Sequence, residues 1–179
     1  MPDSNAIASD HSVALALLAE FEQELVATRK FLERVPESQL TWRPHAKSMT
    51  AGQLALHIAR IPGGVLRMTE TDQAPVPDAS AERPQPATVR EVLGVLDQGC
   101  KYVRERLSAI SDTRMHETFR IMGGEAALMT LPRVAFLRSI MLNHWYHHRG
   151  QLGVYLRLLG ATVPSSYGPS GDEMPDFAK

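Results

Sequence analysis

Four segments of this chain repeat apolar residues at the three- and four-residue spacing of a helix. A helix that is apolar along one stripe must bury that stripe against another element. The most informative segment is the last, from about Pro132 to Leu159, where Leu137, Met141, His144, His148, Tyr155 and Leu159 share one broad face. Pro132 stands near the first turn, where a missing amide hydrogen costs nothing, and Gly160 is a natural stop. Within the stripe, His144 and His148 lie about 40° apart, one above the other. Imidazoles at that spacing converge on a single ion. His147 lies about 60° to the other side of His144 and makes a poorer chelate.

The other three stripes precede it. From about His11 to Val35, Leu17, Phe21, Leu25, Thr28 and Leu32 line one face, with Ser9 or Asp10 as caps and Pro36 as the stop. His11, at the fraying start, is expected on the surface. Thr50-Ala51-Gly52-Gln53 has the pattern of a capping box and opens a second helix whose stripe begins Leu54, His57, Ile58, Ile61. Pro62-Gly63-Gly64 should kink or interrupt it before Val65 and Met68 resume. Thr88-Val89-Arg90-Glu91 repeats the capping pattern, and Val89, Val92, Leu96, Cys100, Val103, Leu107 and Ile110 continue from it as a third stripe.

The connections are less regular. Residues from Thr71 to Ala87 are rich in Pro, Ala, Asp and Gln and read as a long linking loop. Glu117 to Met122 and Ala126 to Thr130 flank Gly123-Gly124 and read as a short β-hairpin that must pack on the helices. The polar tail from Ala161 onward should lie over the bundle. The whole, residues 1–179, reads as a single all-α four-helix-bundle domain with a short hairpin before the last helix.

Composition excludes several functions. The 179 residues carry 19 basic and 20 acidic side chains with no basic run, so nucleic acid is not an expected partner. One cysteine, Cys100, rules out an intrachain disulfide framework, and its place in mid-stripe reads as a small buried hydrophobe. There is no membrane-length apolar run and no signal-like start, so a cytoplasmic protein without membrane attachment is expected. No Ser–His–Asp arrangement or Gly-rich phosphate loop stands out.

His57 sits on an apolar face, where a histidine is either a hydrogen-bonded core residue or a third donor for the pair on the last helix. Metal sites in bundles are built from side chains projecting inward from facing helices, and His57 with His144 and His148 satisfies that geometry without any loop residue. His45, in the polar loop before the second helix, is a weaker candidate. Gln151 falls between the two histidines by angle; it orients a guest or makes a core hydrogen bond. Tyr155 reads as core, and Arg149 points away from the histidine face toward a salt bridge or an interface.

Trp42-Arg43-Pro44, Gly52-Gln53-Leu54 leading to His57, Asn143-His144 through His148-Arg149-Gly150-Gln151, Tyr155 through Gly160, and the tail Tyr167 through Glu173 together resemble the DinB/YfiT-like superfamily of bacterial metal-dependent proteins. The likeness spans nearly the whole chain. It implies an up-down-down-up four-helix bundle, a divalent metal held by His57, His144 and His148, and a homodimer. Relatives include S-transferases that use low-molecular-weight thiols, so a small-molecule substrate, with such a thiol among the options, is implied as a partner.

Three neutral imidazoles leave at least one position on a divalent ion open, unlike a closed structural site. All-imidazole ligation suits zinc or nickel, and an open position acidifies water or a thiol. The expected function is therefore a metal-dependent transferase or hydrolase. The alternatives are a non-catalytic bundle in which the ion staples two helices, and three core histidines without metal.

Overall fold

The computed structural model describes residues 10–178 apart from 79, 176 and 177. Its frame is helix α1 (Ser12–Glu33), α2 (Ala51–Met68), α3 (Val89–Leu107) and a final rod. That rod opens as α5 (Arg133–Phe136), passes through a π-helical stretch (Leu137–Asn143) and continues as α6 (His144–Leu158). A short α4 (Asp112–His116) and the strands β2 (Thr118–Gly123) and β3 (Ala126–Pro132) precede the rod. The expected stripes are the buried ones: Leu17, Phe21, Leu25, Thr28 and Leu32 on α1, and Val92, Leu96, Cys100, Val103 and Leu107 on α3. No helix among the described residues is long and apolar enough to cross a membrane.

Side-chain contacts fix the helix directions. Arg104 of α3 pairs with Glu22 of α1, and the His11 ring bonds the Ile110 carbonyl, so these two helices run antiparallel. On α2 and α3, Gly63 meets Gly99 and Arg67 stacks on Tyr102, so these run parallel. Trp145 meets Ile58 and Tyr155 meets Met49, which sets the last rod antiparallel to α2. The order is up, down, down, up. A parallel α2–α3 pair needs a connection that returns the chain the full length of a helix, which accounts for the long Thr71–Ala87 segment.

That segment is not all loop. β1 (Gln73–Pro75) pairs parallel with β2, Gln73 opposite Arg120 and Pro75 opposite Met122, making a three-stranded sheet in the order β1-β2-β3. Three residues carry no readable period, so nothing local marks β1; its partner creates it. The hairpin is as expected, turning at Gly124 with φ of 65° and with an irregularity between Ile121 and Met122. Phe119 and Ile121 face the helices, and Phe119 lies 4.6 Å from Phe136.

Pro62 and the glycines neither kink nor interrupt α2, which runs unbroken through them. Proline lacks an amide hydrogen, so the Ile58 carbonyl four residues back loses its helical partner. The buried Trp145 indole donates to that carbonyl instead, at 3.0 Å. Gly63 serves a close crossing: a Cβ there would come within 2.9 Å of the Gly99 Cα. The expected capping box at Thr50 and Gln53 is complete. At Thr88 only half forms, because Glu91 accepts from the amide of Ala87 rather than from Thr88.

The start of α1 also departs from expectation. Asp10 does not cap it, and Ser9 lies outside the described residues. Asp112 accepts from the Val13 amide and the Ser12 hydroxyl, and the His11 ring is half-buried against Ile110 rather than on the surface. The tail lies over the bundle as expected, tied by Arg157 to Asp172 and by Arg34 to Glu173.

Replacing Trp145 by Phe should strand the Ile58 carbonyl and destabilise the fold by about 1–3 kcal/mol in urea unfolding. The loss should shrink in a Pro62→Ala background, where a restored amide reclaims that carbonyl. Gly63→Val should cost about 1–3 kcal/mol through backbone clash. Gly64→Ala, whose new methyl meets nothing within 4 Å, should instead stabilise by up to about 1 kcal/mol in the same measurement.

Candidate metal centre

The antiparallel crossing of α2 and the last rod brings three rings together. His57 lies 4.5 Å from His148 and 5.3 Å from His144, ring centre to ring centre, and His144 lies 4.4 Å from His148. One nitrogen from each ring falls within 4.8 Å of the other two, and all three rings are half-buried. These are the three histidines singled out in the sequence. His147 is exposed, its ring 4.9 Å from that of His148, and it stays outside the group. His45 is exposed in its loop, its Nδ1 accepting from the Lys47 amide.

Local structure aims each ring. At the π-to-α junction the His144 amide donates to the Ser139 carbonyl, five residues back. The His144 ring takes up the backbone of Ile140, which that amide has skipped. A carbonyl only accepts, so this ring nitrogen is protonated. Gln151, one turn beyond His148, presents its amide oxygen 2.9 Å from His148 Nδ1 and holds that nitrogen as a donor too. Both rings then turn Nε2 lone pairs toward each other, 2.7 Å apart.

Two lone pairs at that separation repel unless a proton or a cation lies between them. A proton is disfavoured, because burial lowers the pKa of both His144 and His148. His57 is pushed further, to about 4, by burial first and then by the charges of His148, His144 and Arg83. The rings are therefore neutral donors at neutral pH, and their arrangement fits a divalent cation.

The surroundings are asymmetric. On one side of His57 and His144 lies an apolar pocket of about 440 Å³, walled by Ile61, Val65, Ile121, Phe136 and Ile140. On the other side of His57 is a smaller polar recess of about 190 Å³, which includes Gln53, Asp78, Glu82 and Arg83. Arg60, one turn along α2 from His57, borders both. Neither the pocket nor Arg83 was legible in the sequence, since both depend on an aperiodic loop folding back on α2. The one available signal was a capping glutamine: Gln53 closes its box with Thr50 and donates to the Arg83 carbonyl at 2.9 Å.

The remaining sequence candidates have structural roles. Tyr155 is buried, donates to the Met49 carbonyl and meets Trp42 edge-on. Arg149 forms a buried ion pair with Glu24 at 2.6 Å, the salt bridge expected of it. Sequence reasoning passed over Arg133, which is fully buried and donates to the carbonyls of Thr69, Arg114 and Thr71 where α2 ends.

Known proteins with this pattern are numerous enough to place the chain. The uncharacterized protein YrdA of Bacillus subtilis strain 168 is 28% identical over 162 residues, 89% of this chain and 91% of that one. A DinB-like protein from Bacillus cereus superposes with a TM-score of 0.68 at 24% identity, covering 84% of this chain and 95% of its own. YfiT from Bacillus subtilis, described as "a probable metal-dependent hydrolase with an unusual four-helix bundle topology", superposes with a TM-score of 0.62 at 16% identity, covering 83% of this chain and 89% of its own. The DinB family model matches residues 1–176. With the mostly helical DinB/YfiT-like bundle and its small sheet before the last rod, this chain belongs to the DinB family.

Proposed function

We propose that this chain is a divalent-metal-dependent enzyme acting on a small molecule, with His57, His144 and His148 as the ligands. The observation that carries this is the facing pair of Nε2 lone pairs on His144 and His148, with the third ring delivered from a different helix. Zinc or nickel suits an all-imidazole set. When bound, such an ion supplies Lewis acidity that favours the ionised form of a water or thiol.

The chain's own residues do the rest. Gln151 and the Ile140 backbone fix the tautomers and orient the rings. Burial keeps the imidazoles unprotonated, and the apolar wall beside them excludes water from one side of the site. The charges that act on the three rings come from one another, from His147 and from Arg83, with no carboxylate among them. Without a carboxylate beside the cluster to take a proton, a nucleophile that ionises readily is the better match. A thiol does so far more easily than water, so we prefer transfer of a low-molecular-weight thiol over hydrolysis. The description of YfiT supports the hydrolytic alternative.

Protein purified without a nickel column should carry about one divalent ion per chain by elemental analysis. The substitutions H57A, H144A and H148A should each abolish it with little change in helicity or melting temperature; a large stability loss without turnover would favour a structural staple. Replacing Gln151 by Ala should weaken metal affinity about 10–100-fold. A panel of small thiols with an electrophile, run beside ester and amide substrates, separates transfer from hydrolysis.

The metal-free protein should also reveal the depressed histidine. Because His57 titrates near 4 when folded and near 6.5 in an ordinary environment, the unfolded chain takes up the proton first. Its contribution to stability is intact above about pH 6.5 and is lost as the pH falls toward about 4. Urea midpoints should fall across that window, and His57→Gln should flatten the profile.

A further inference from the structure

Around the histidine cluster the charges are one-sided. The groups that orient the rings, Gln151 and the Ile140 backbone, are neutral, whereas metal-binding histidines commonly lean on a carboxylate. The fixed charge from outside the last rod that acts on His57 and His148 is the Arg83 guanidinium. Arg83 is held on that side by its own backbone: its carbonyl accepts from Gln53, one turn before His57 on the same helix. Two carboxylates share the recess. Asp78 accepts from the amide and hydroxyl of Ser80, at 2.8 and 2.6 Å, and neither it nor Glu82 is among the charges felt by the rings.

A cation placed beside a cation site opposes the metal unless the guest is negative. Three neutral ligands leave the full charge of a divalent ion uncompensated, and Arg83 adds to it. On the opposite side of His57 and Arg60, the pocket of about 440 Å³ is walled almost wholly by apolar side chains, within the size range of small-molecule sites.

We infer that the substrate is a small amphiphilic anion, its aryl or branched-alkyl body in the pocket of Val65, Ile121, Met129 and Phe136 and its carboxylate or comparable anionic group turned toward His57 and Arg83. This rests on the metal-dependent reading of the same cluster. It assigns Arg83 a role in selecting substrate by charge and the sheet edge a role in selecting it by shape.

The test uses zinc-loaded full-length protein, with zinc content measured on the same sample, and titration calorimetry with 4-phenylbutyrate, 4-phenyl-1-butanol and acetate. The phenylbutyrate should bind at least about tenfold tighter than either of the others, since the alcohol lacks the charge and acetate lacks the body. R83Q should weaken phenylbutyrate about tenfold and the alcohol less than about twofold, with zinc content and circular dichroism unchanged, and R83K should recover part of the loss. Met129→Asn, on the exposed β3, should weaken acid and alcohol alike. A zinc-loaded protein that binds acid and alcohol equally, or whose R83Q variant binds phenylbutyrate as tightly as before, overturns the inference alone. A protein that takes up no zinc overturns the metal reading and the inference together.

Discussion

A single hydrogen bond from the Trp145 indole to the Ile58 carbonyl sets the geometry on which the cluster depends. Ile58 follows His57 and Trp145 follows His144, so the bond joins the immediate neighbours of two of the three rings. It exists because Pro62 leaves that carbonyl without an amide donor inside α2, in a core where an unmet acceptor is costly. A residue that ordinarily breaks helices here creates the acceptor that locks two helices in register. Stacking of Trp145 on Phe21, 5.3 Å between ring centres, brings α1 into the same arrangement.

The π-helical stretch before His144 is the second half of that mechanism. A helix wound with five-residue hydrogen bonds presents its side chains at a different angle from the α-helix that follows, and such insertions are frequent at functional sites. Here it lets the rod serve two demands. At its start, Arg133 is buried against the carbonyls that end α2. Beyond the stretch, His144 meets His57, with Ile140 left to steady its ring. An uninterrupted α-helix between fixed ends would turn His144 away from one of these contacts.

How far the sequence could be read follows from the range of each interaction. The four stripes and the pairing of His144 with His148 are set by helical period alone, and they are where periodicity places them. His57 needed one further step, that a bundle turns its stripes inward, and that step holds too. Pro62-Gly63-Gly64 was misread because its meaning lies in other helices: the proline answers Trp145 and the glycine answers Gly99. β1 depends on a partner strand forty-odd residues away and has no period of its own. Cap chemistry failed where the acceptor came from across the chain, as Asp112 does for α1. Arg83 belongs to the same class, a loop residue whose position is dictated by Gln53.

The cluster also has to be held open against its own energetics. Facing lone pairs and half-buried neutral rings do not stabilise the metal-free fold, and left to relax they would rotate apart or collapse. Resistance comes from either side along the last rod. Before the cluster, Arg133 is fixed by three backbone carbonyls. After it, Arg149 pairs with Glu24 in the core, with the rings of Tyr146 and Tyr167 about the guanidinium and the Tyr167 hydroxyl on the same carboxylate. A buried ion pair of this kind is a poor source of net stability but a strict source of orientation, because removing either partner strands a charge. Two buried arginines, sixteen residues apart on one rod, thus limit its rotation and its sliding. Those are the motions that would undo the convergence of His144 and His148 on His57.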